Sequence, residues 1–206
     1  ELELRFPKAF ATVDGALLVR LPILVSPGAS LLISGLDAKR VHLSADAGVF
    51  IVNAGKLYIV DAEVAGWSEG AGKVAWHEKE DSGSFRPFVI SWSHSETFVG
   101  GSKLVALGYQ SPKSFGLSFS AGPSNVMKRH SDKGEPSGMA VDSLFENFEY
   151  GVYTYEAQQV AMVGNEYKDS LFYGMDPHDR SHQLTIAYNT AYGTHDVALT
   201  HQVEDH

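Results

Sequence analysis

The sequence contains no cysteine, so neither a disulfide framework nor a thiolate zinc site can be built from it. Zero cysteine is compatible with an oxidising compartment. Long hydrophobic runs are missing too; the apolar runs are short, such as Ala16 to Val19, which rules out a transmembrane helix. Positive charge is in deficit. Sixteen Lys and Arg against 25 Asp and Glu leave −9 with histidine neutral, the reverse of the basic face a nucleic-acid binder carries. Helix signals are scarce, because few windows space apolar residues at helical period and Gly, Asn, Ser and Asp recur every few residues. There is no Gly-x-Ser-x-Gly elbow, no Gly-x-x-x-x-Gly-Lys phosphate loop, no His-Glu-x-x-His zinc motif and no EF-hand loop. The chain opens on Glu1 with no leader-like segment, so a processed or excised piece is expected, its targeting signal removed.

What is present is 206 residues, 44% of them hydrophobic, enough for one domain with a real core. Short β-rich runs recur at Leu17 to Val25, Val49 to Val52, Leu57 to Val60, Phe88 to Trp92, Leu117 to Phe119, Val152 to Tyr155 and Leu184 to Tyr188. These predict an all-β fold, and an internal repeat distinguishes a stacked coil from a sandwich or barrel. Gly151 to Tyr155 aligns with Gly174 to His178 and then with Asp196 to Thr200; Gly116 to Ser120 and Val89 to Ser93 fit the same frame. One pair of columns holds Ile90, Leu117, Val152, Met175 and Val197, then Trp92, Phe119, Thr154, Pro177 and Leu199. Strand alternation places these inside. The alternate columns, Ser91, Ser118, Tyr153, Asp176 and Ala198, then Ser93, Ser120, Tyr155, His178 and Thr200, fall outside. Asp142, Asn165 and Asn189 recur as a turn marker that would satisfy backbone groups.

The pattern predicts a right-handed parallel β-helix with turns of roughly 22–27 residues, a single domain over 1–206 that is incomplete at its C-terminus. The regular pattern of a leucine-rich repeat is absent. Residues 121–138, which carry Lys128, Arg129 and His130, read as an inserted loop: a solvated connection, or alternatively a flap over a groove. A second protruding loop is expected between Gly66 and Phe85.

The densest polar constellation is Asp176-Pro177-His178-Asp179-Arg180-Ser181-His182. Asp176 and His178 share the outer face and stack over Tyr153 and Tyr155. Aromatic faces cover sugar rings while polar groups orient them, so a carbohydrate groove is one reading. A histidine beside a carboxylate is suited to proton abstraction near neutral pH. The plainer reading is an Asp- and His-rich turn that caps the coil. A metal site is not expected, because Asp-x-His-Asp on a strand scatters its ligands over two faces. Lys113, Arg86 and Arg180 are candidate partners for substrate carboxylates.

Tyr173 to His182, followed by Ile186 to Asn189 and Ala191 to Thr194, resembles the mannuronan C-5-epimerases. The resemblance reaches back through Gly151 to Asn165, Lys113 to Ser120, Arg86-Pro87-Phe88 and Arg5 to Phe10; its specific part is Asp-Pro-His-Asp. It implies a right-handed parallel β-helix acting in the periplasm on alginate, without a cofactor, with other alginate secretion proteins as partners and no membrane insertion. It further implies conversion of β-D-mannuronate to α-L-guluronate in the polymer, with His178 as C5 base and Asp176 and Asp179 orienting it. Where the family carries an arginine that neutralises the substrate carboxylate, this chain places His201, and about three residues before it, two of them lysines, are missing. An arginine supplies a permanent charge and a bidentate fork that histidine lacks, so weak or lost activity is expected. An alginate lyase, a non-catalytic polyuronate-binding β-helix and a truncated product without stable function remain as alternatives.

Overall fold

The computed structural model describes residues 2–121 and 134–200. The chain opens with the short helix Leu2–Arg5 and an antiparallel hairpin, Phe10–Val13 with Ala16–Val19. Thereafter strands recur in sets of three, each strand pairing in parallel with its counterpart one turn earlier. The result is a right-handed parallel β-helix with three faces. Sheet 1 includes Arg40–Ser44, Glu63–Ser68, Lys103–Val105, Leu144–Glu146, Glu166–Lys168 and Thr190–Tyr192. Sheet 2 runs Ile23–Val25, Ile51–Asn53, Val89–Trp92, Gly116–Ser120, Tyr150–Tyr155, Tyr173–Pro177 and Val197–Leu199. Sheet 3 runs from Ser30–Ser34 through Lys56–Val60, Glu96–Gly100, Ser137–Val141 and Val160–Val163 to Thr185–Ala187.

Because neighbouring strands are in register, inward residues stack like on like. Sheet 2 contributes Ile51, Val89, Leu117, Val152 and Met175 in one column. Sheet 3 adds Ile33, Ile59, Val99, Ala140 and Met162. Sheet 1 adds Val41, Val64, Leu104, Phe145 and Tyr167. All of these residues are buried, in one contiguous cluster. At roughly 1.5–3 kcal/mol for each large side chain removed from water, these columns are the main stabilising term. No single turn could bury them alone, which is why the coil must stack.

After the first, which spans residues 35–39, each passage from sheet 3 to sheet 1 is a two-residue turn. Its first residue is Asp61, Gly101, Asp142, Gly164 or Tyr188, all left-handed, with φ from 46° at Asp142 to 68° at Gly164. Asp and Gly are types that tolerate this region, so their recurrence is a backbone requirement. The second residue forms a polar ladder. The Ser102 amide donates to Ser143 Oγ, the Ser143 amide to Asn165 Oδ1 at 3.1 Å, and the Asn165 amide to Asn189 Oδ1 at 3.0 Å. Asn165 Nδ2 also donates to the Ala140 carbonyl and Asn189 Nδ2 to that of Met162, both at 2.7 Å. The marker expected at Asp142 therefore belongs one residue later, at Ser143. Asp142 supplies the strained turn conformation and Ser143 the ladder.

The frame on sheet 2 also needs two adjustments. Val89 and Ser91 pair with Leu117 and Phe119, so Ile90 and Trp92 lie on the outer face and not in the core. Met175 pairs with Leu199, two residues beyond the expected Val197. Trp92 is nevertheless buried, which is why it imitates a core residue in the sequence.

Of the first expected loop, the structure describes only Ala121 and residues 134–138. Ser137 and Gly138, placed in the 121–138 loop, begin a sheet 3 strand; Lys128, Arg129 and His130 lie outside the described residues. The segment after Ser68 turns back as the strand Lys73–Val74 and then lies along the coil. Asn147 holds it by accepting from the His77 amide at 3.1 Å and donating to the His77 carbonyl at 2.9 Å. Further on, Lys79 Nζ lies 2.9 Å from Asp196 Oδ1 and 4.7 Å from the centre of the Phe172 ring.

Candidate functional site

The outer face of sheet 2 carries one continuous column, Leu24, Val52, Ile90, Ser118, Tyr153 and Asp176. It is apolar at one end and polar at the other. Two residues along, Tyr155 follows Ser120 in register, and His178 follows Pro177 in the next strand. Pro177 points inward above Thr154 and has no N–H; the ladder resumes with the His178 amide donating to the Thr154 carbonyl at 2.9 Å. Strand alternation thus puts Asp176 and His178 on the face shared with Tyr153 and Tyr155, as the sequence implies.

His178 is packed edge to face against both tyrosines, with ring centres 5.5 Å from Tyr153 and 6.0 Å from Tyr155. Its Nδ1 lies 3.6 Å from Asp179 Oδ1. That exceeds a hydrogen-bond length, so the carboxylate faces the imidazole through space. Asp176 and Asp179 are themselves buried. A base that accepts a proton beside two carboxylates acquires its charge where that charge is stabilised.

Lys113 arrives from the loop that precedes Gly116–Ser120. Its ammonium donates to the Tyr153 hydroxyl at 3.2 Å and sits 3.1 Å from the centre of the Tyr155 ring. Burial lowers its pKa from 10.5 to about 8, against the opposing pull of Glu156, Asp179 and Asp176. Burial raises the Tyr153 phenol well above its ordinary range, so it stays protonated. Arg180 lies exposed in the turn after His178, with φ of 57°, and pairs with Glu156 at 2.6 Å. Lys113, Tyr153, Tyr155, Asp176, His178, Asp179 and Arg180 are therefore brought together. His201 lies outside the described residues.

Arg86 is not part of this face. It is fully buried, donating to the carbonyls of Gly108 at 2.7 Å and Leu107 at 3.4 Å and to Asn147 Oδ1 at 2.5 Å. Its donors are used internally, which corrects the expectation of a carboxylate contact. Glu149 is also fully buried, and neither carboxylate oxygen has a hydrogen-bond partner among the described residues. Burial raises its pKa from 4.5 to about 7, Arg86 opposing. The folded state then binds this proton more tightly than the unfolded chain, so stability falls as pH rises from about 4.5 toward 7. Glu149→Gln is expected to flatten that stretch of the pH profile. Urea midpoints across the range would show it, and an unchanged slope in the variant would exclude the assignment.

The sequence reading also missed the aromatic wall beside the site. Phe115 stacks on Tyr150 at 4.2 Å, and Tyr150 lies 5.0 Å from Tyr173. Its signal was an aromatic–glycine pair repeated as Phe115-Gly116, Tyr150-Gly151 and Tyr173-Gly174. A Cβ on Gly151 would fall 1.6 Å from the Gly174 carbonyl oxygen, so the glycine lets adjacent turns close behind the rings. Among the described residues, no cluster of three or more His, Asp or Glu side chains could hold a metal ion.

No protein-family model matches the chain. It is 41% identical over 197 residues to the mannuronan C5-epimerase of Pseudomonas aeruginosa, covering 93% of this chain and 35% of that protein. It is 39% identical over 197 residues to mannuronan C5-epimerase AlgG of Azotobacter vinelandii, covering 94% and 37%. The chain is homologous to part of the mannuronan C5-epimerases. Its fold agrees: the crystal structure of the periplasmic alginate epimerase AlgG matches with a TM-score of 0.87 and 38% identity, over 95% of this chain and 46% of that one. The chain spans little more than a third of the length of these two curated relatives and 46% of the solved structure. Among its described residues, no helix is long and apolar enough to cross a membrane.

Proposed function

We propose that the outer face of sheet 2 epimerises β-D-mannuronate to α-L-guluronate within polymannuronate, in the periplasm, with His178 abstracting the C5 proton. The observation that carries this reading is the grouping of His178 with two buried carboxylates and two tyrosines on one face, in a fold shared with AlgG. The C5 proton is flanked by the sugar carboxylate, which must be neutralised before the carbanion becomes accessible. Asp176 and Asp179 favour the imidazolium formed on abstraction, Tyr153 and Tyr155 hold the ring in place, and Lys113 is the nearby cation that could offset the substrate charge. Reprotonation from the opposite sugar face completes the inversion, with water as the donor. Contacts with other proteins of alginate secretion belong to the same reading.

Incubation of the chain with polymannuronate, followed by proton NMR of the polymer, is the test. New guluronate signals with unchanged chain length are expected to appear slowly, because the resemblance puts His201 where the family carries an arginine. A 4,5-unsaturated product absorbing in the near ultraviolet would instead reveal β-elimination from the same carbanion. Binding without either product would leave a non-catalytic polyuronate-binding β-helix.

A further inference from the structure

The loop from Gly108 to Phe115 closes on itself ahead of Gly116–Ser120 and brings Lys113 to the outer face of sheet 2. Its two ends meet so tightly that a Cβ on Gly108 would collide with the Phe115 carbonyl. Inside it, the Tyr109 amide donates to the Ser114 carbonyl and the Ser114 amide to the Ser111 carbonyl, both at 3.0 Å. Lys113 itself is left-handed, with φ of 66°. A lysine in that region is strained and stays there only where its surroundings over-determine it.

We propose that Tyr109, clasped by Phe85 and Phe88, is a positioning residue that fixes the Lys113 ammonium against Tyr153 and Tyr155. The proposal rests on the epimerase reading, in which Lys113 offsets the substrate charge, and assigns the residue that sets where this charge stands.

Residues 82–88 fasten the loop to the coil. The Gln110 amide donates to the Ser82 carbonyl, the Gly108 amide to the Pro87 carbonyl and Arg86 Nε to the Gly108 carbonyl, each at 2.7 Å. These main-chain bonds fix where the loop begins. Its tilt about that point is set by the Tyr109 ring, whose centre lies 5.2 Å from that of Phe85 and 6.2 Å from that of Phe88. Phe88 stacks in turn on Phe50 at 5.1 Å, so the ring enters an aromatic cluster already braced by the neighbouring turn. None of the four belongs to the contiguous core, and the clasp stands apart from the columns that hold the coil together. Because the Tyr109 amide is bonded to the carbonyl next to Lys113, ring and ammonium move as one unit.

The ammonium so placed is partly buried, faced by Glu156, Asp179 and Asp176 as well as by the two tyrosines. Burial holds its pKa at about 8, whereas a lysine released into water titrates near the ordinary 10.5. A charge fixed in advance needs no reorganisation when the substrate reacts, so loosening it should appear in kcat.

NMR titration of the intact chain, labelled with carbon-13 at lysine Cε, tests this; the Lys113 signal is the one absent from Lys113→Arg. In the parent it should titrate at about 8. Tyr109→Ala should move it toward 10.5 and lower kcat about tenfold with little change in KM. Tyr109→Phe, which keeps the ring, should restore both. Phe85→Ala removes the clasp from the other side and should shift Lys113 in the same direction, which keeps the test valid should Tyr109→Ala unfold. A Lys113 titration unchanged in the alanine variants, or already near 10.5 in the parent, would overturn the proposal. So would a loss in Tyr109→Phe equal to that in Tyr109→Ala. Shifted titrations with no turnover by any protein, the parent included, would overturn the epimerase reading alone. Parent-like kcat in Tyr109→Ala despite a shifted Lys113 would overturn the positioning role alone.

Discussion

His178→Gln is expected to lower epimerisation of polymannuronate about 10³-fold, within the range over which a positioned general base contributes. Glutamine preserves much of the side-chain volume and a polar end group but cannot take up a proton. The imidazole is held between two tyrosine rings and beside Asp179, and it makes no contribution to the apolar columns of the core. The variant should therefore melt with the parent, and the loss should appear in kcat, not in polymer binding. Asp179→Asn should act in the same direction but less, because the imidazolium loses one of its stabilising carboxylates. If the Asp-Pro-His-Asp segment served only to cap a turn, His178→Gln would leave turnover near that of the parent.

Arg86→Met is expected to destabilise the fold by about 3–5 kcal/mol, the cost of breaking a buried charged constellation from one side. The guanidinium bonds to two backbone carbonyls and to Asn147, and it is the positive charge that opposes the upward shift of Glu149. Methionine leaves the carbonyls of Leu107 and Gly108 without that donor and drives Glu149 further toward its neutral form. Asn147 also clamps the segment around His77, so the loss should spread along the coil. Urea unfolding followed by circular dichroism measures the effect. A substrate-contacting arginine would give the opposite outcome, weaker polymer binding with unchanged stability.

The contrast between these two residues shows how far the sequence reading extends. Asp176 and His178 were legible because strand alternation and a repeat of constant length place them over Tyr153 and Tyr155, and the register agrees. Arg86 was not, because its partners are main-chain carbonyls brought in by a turn of the coil, and no residue pattern announces them. Ile90 and Trp92 misled for a different reason. Phe88, Val89, Ile90 and Trp92 form a nearly continuous apolar run, so hydrophobicity alone could not choose a face. Only pairing with Leu117 assigns Val89 to the core. The repeat likewise exposed one strand in each turn; Leu57 to Val60 and Leu184 to Tyr188 stood out from sheet 3 as β-rich runs, while most of sheets 1 and 3 stayed hidden in shorter segments. Lys113 lay within sight as a charge, but its contact with Tyr153 depends on a loop folding across sheet 2.

The central claim is that His178 removes the C5 proton of mannuronate on the outer face of sheet 2. It is tested most directly by incubating the intact chain with polymannuronate in deuterium oxide and reading C5 by NMR. The account predicts deuterium at C5 of newly formed guluronate with the parent chain, and none with His178→Gln. Deuterium incorporation that is unchanged in the His178 variant would contradict it.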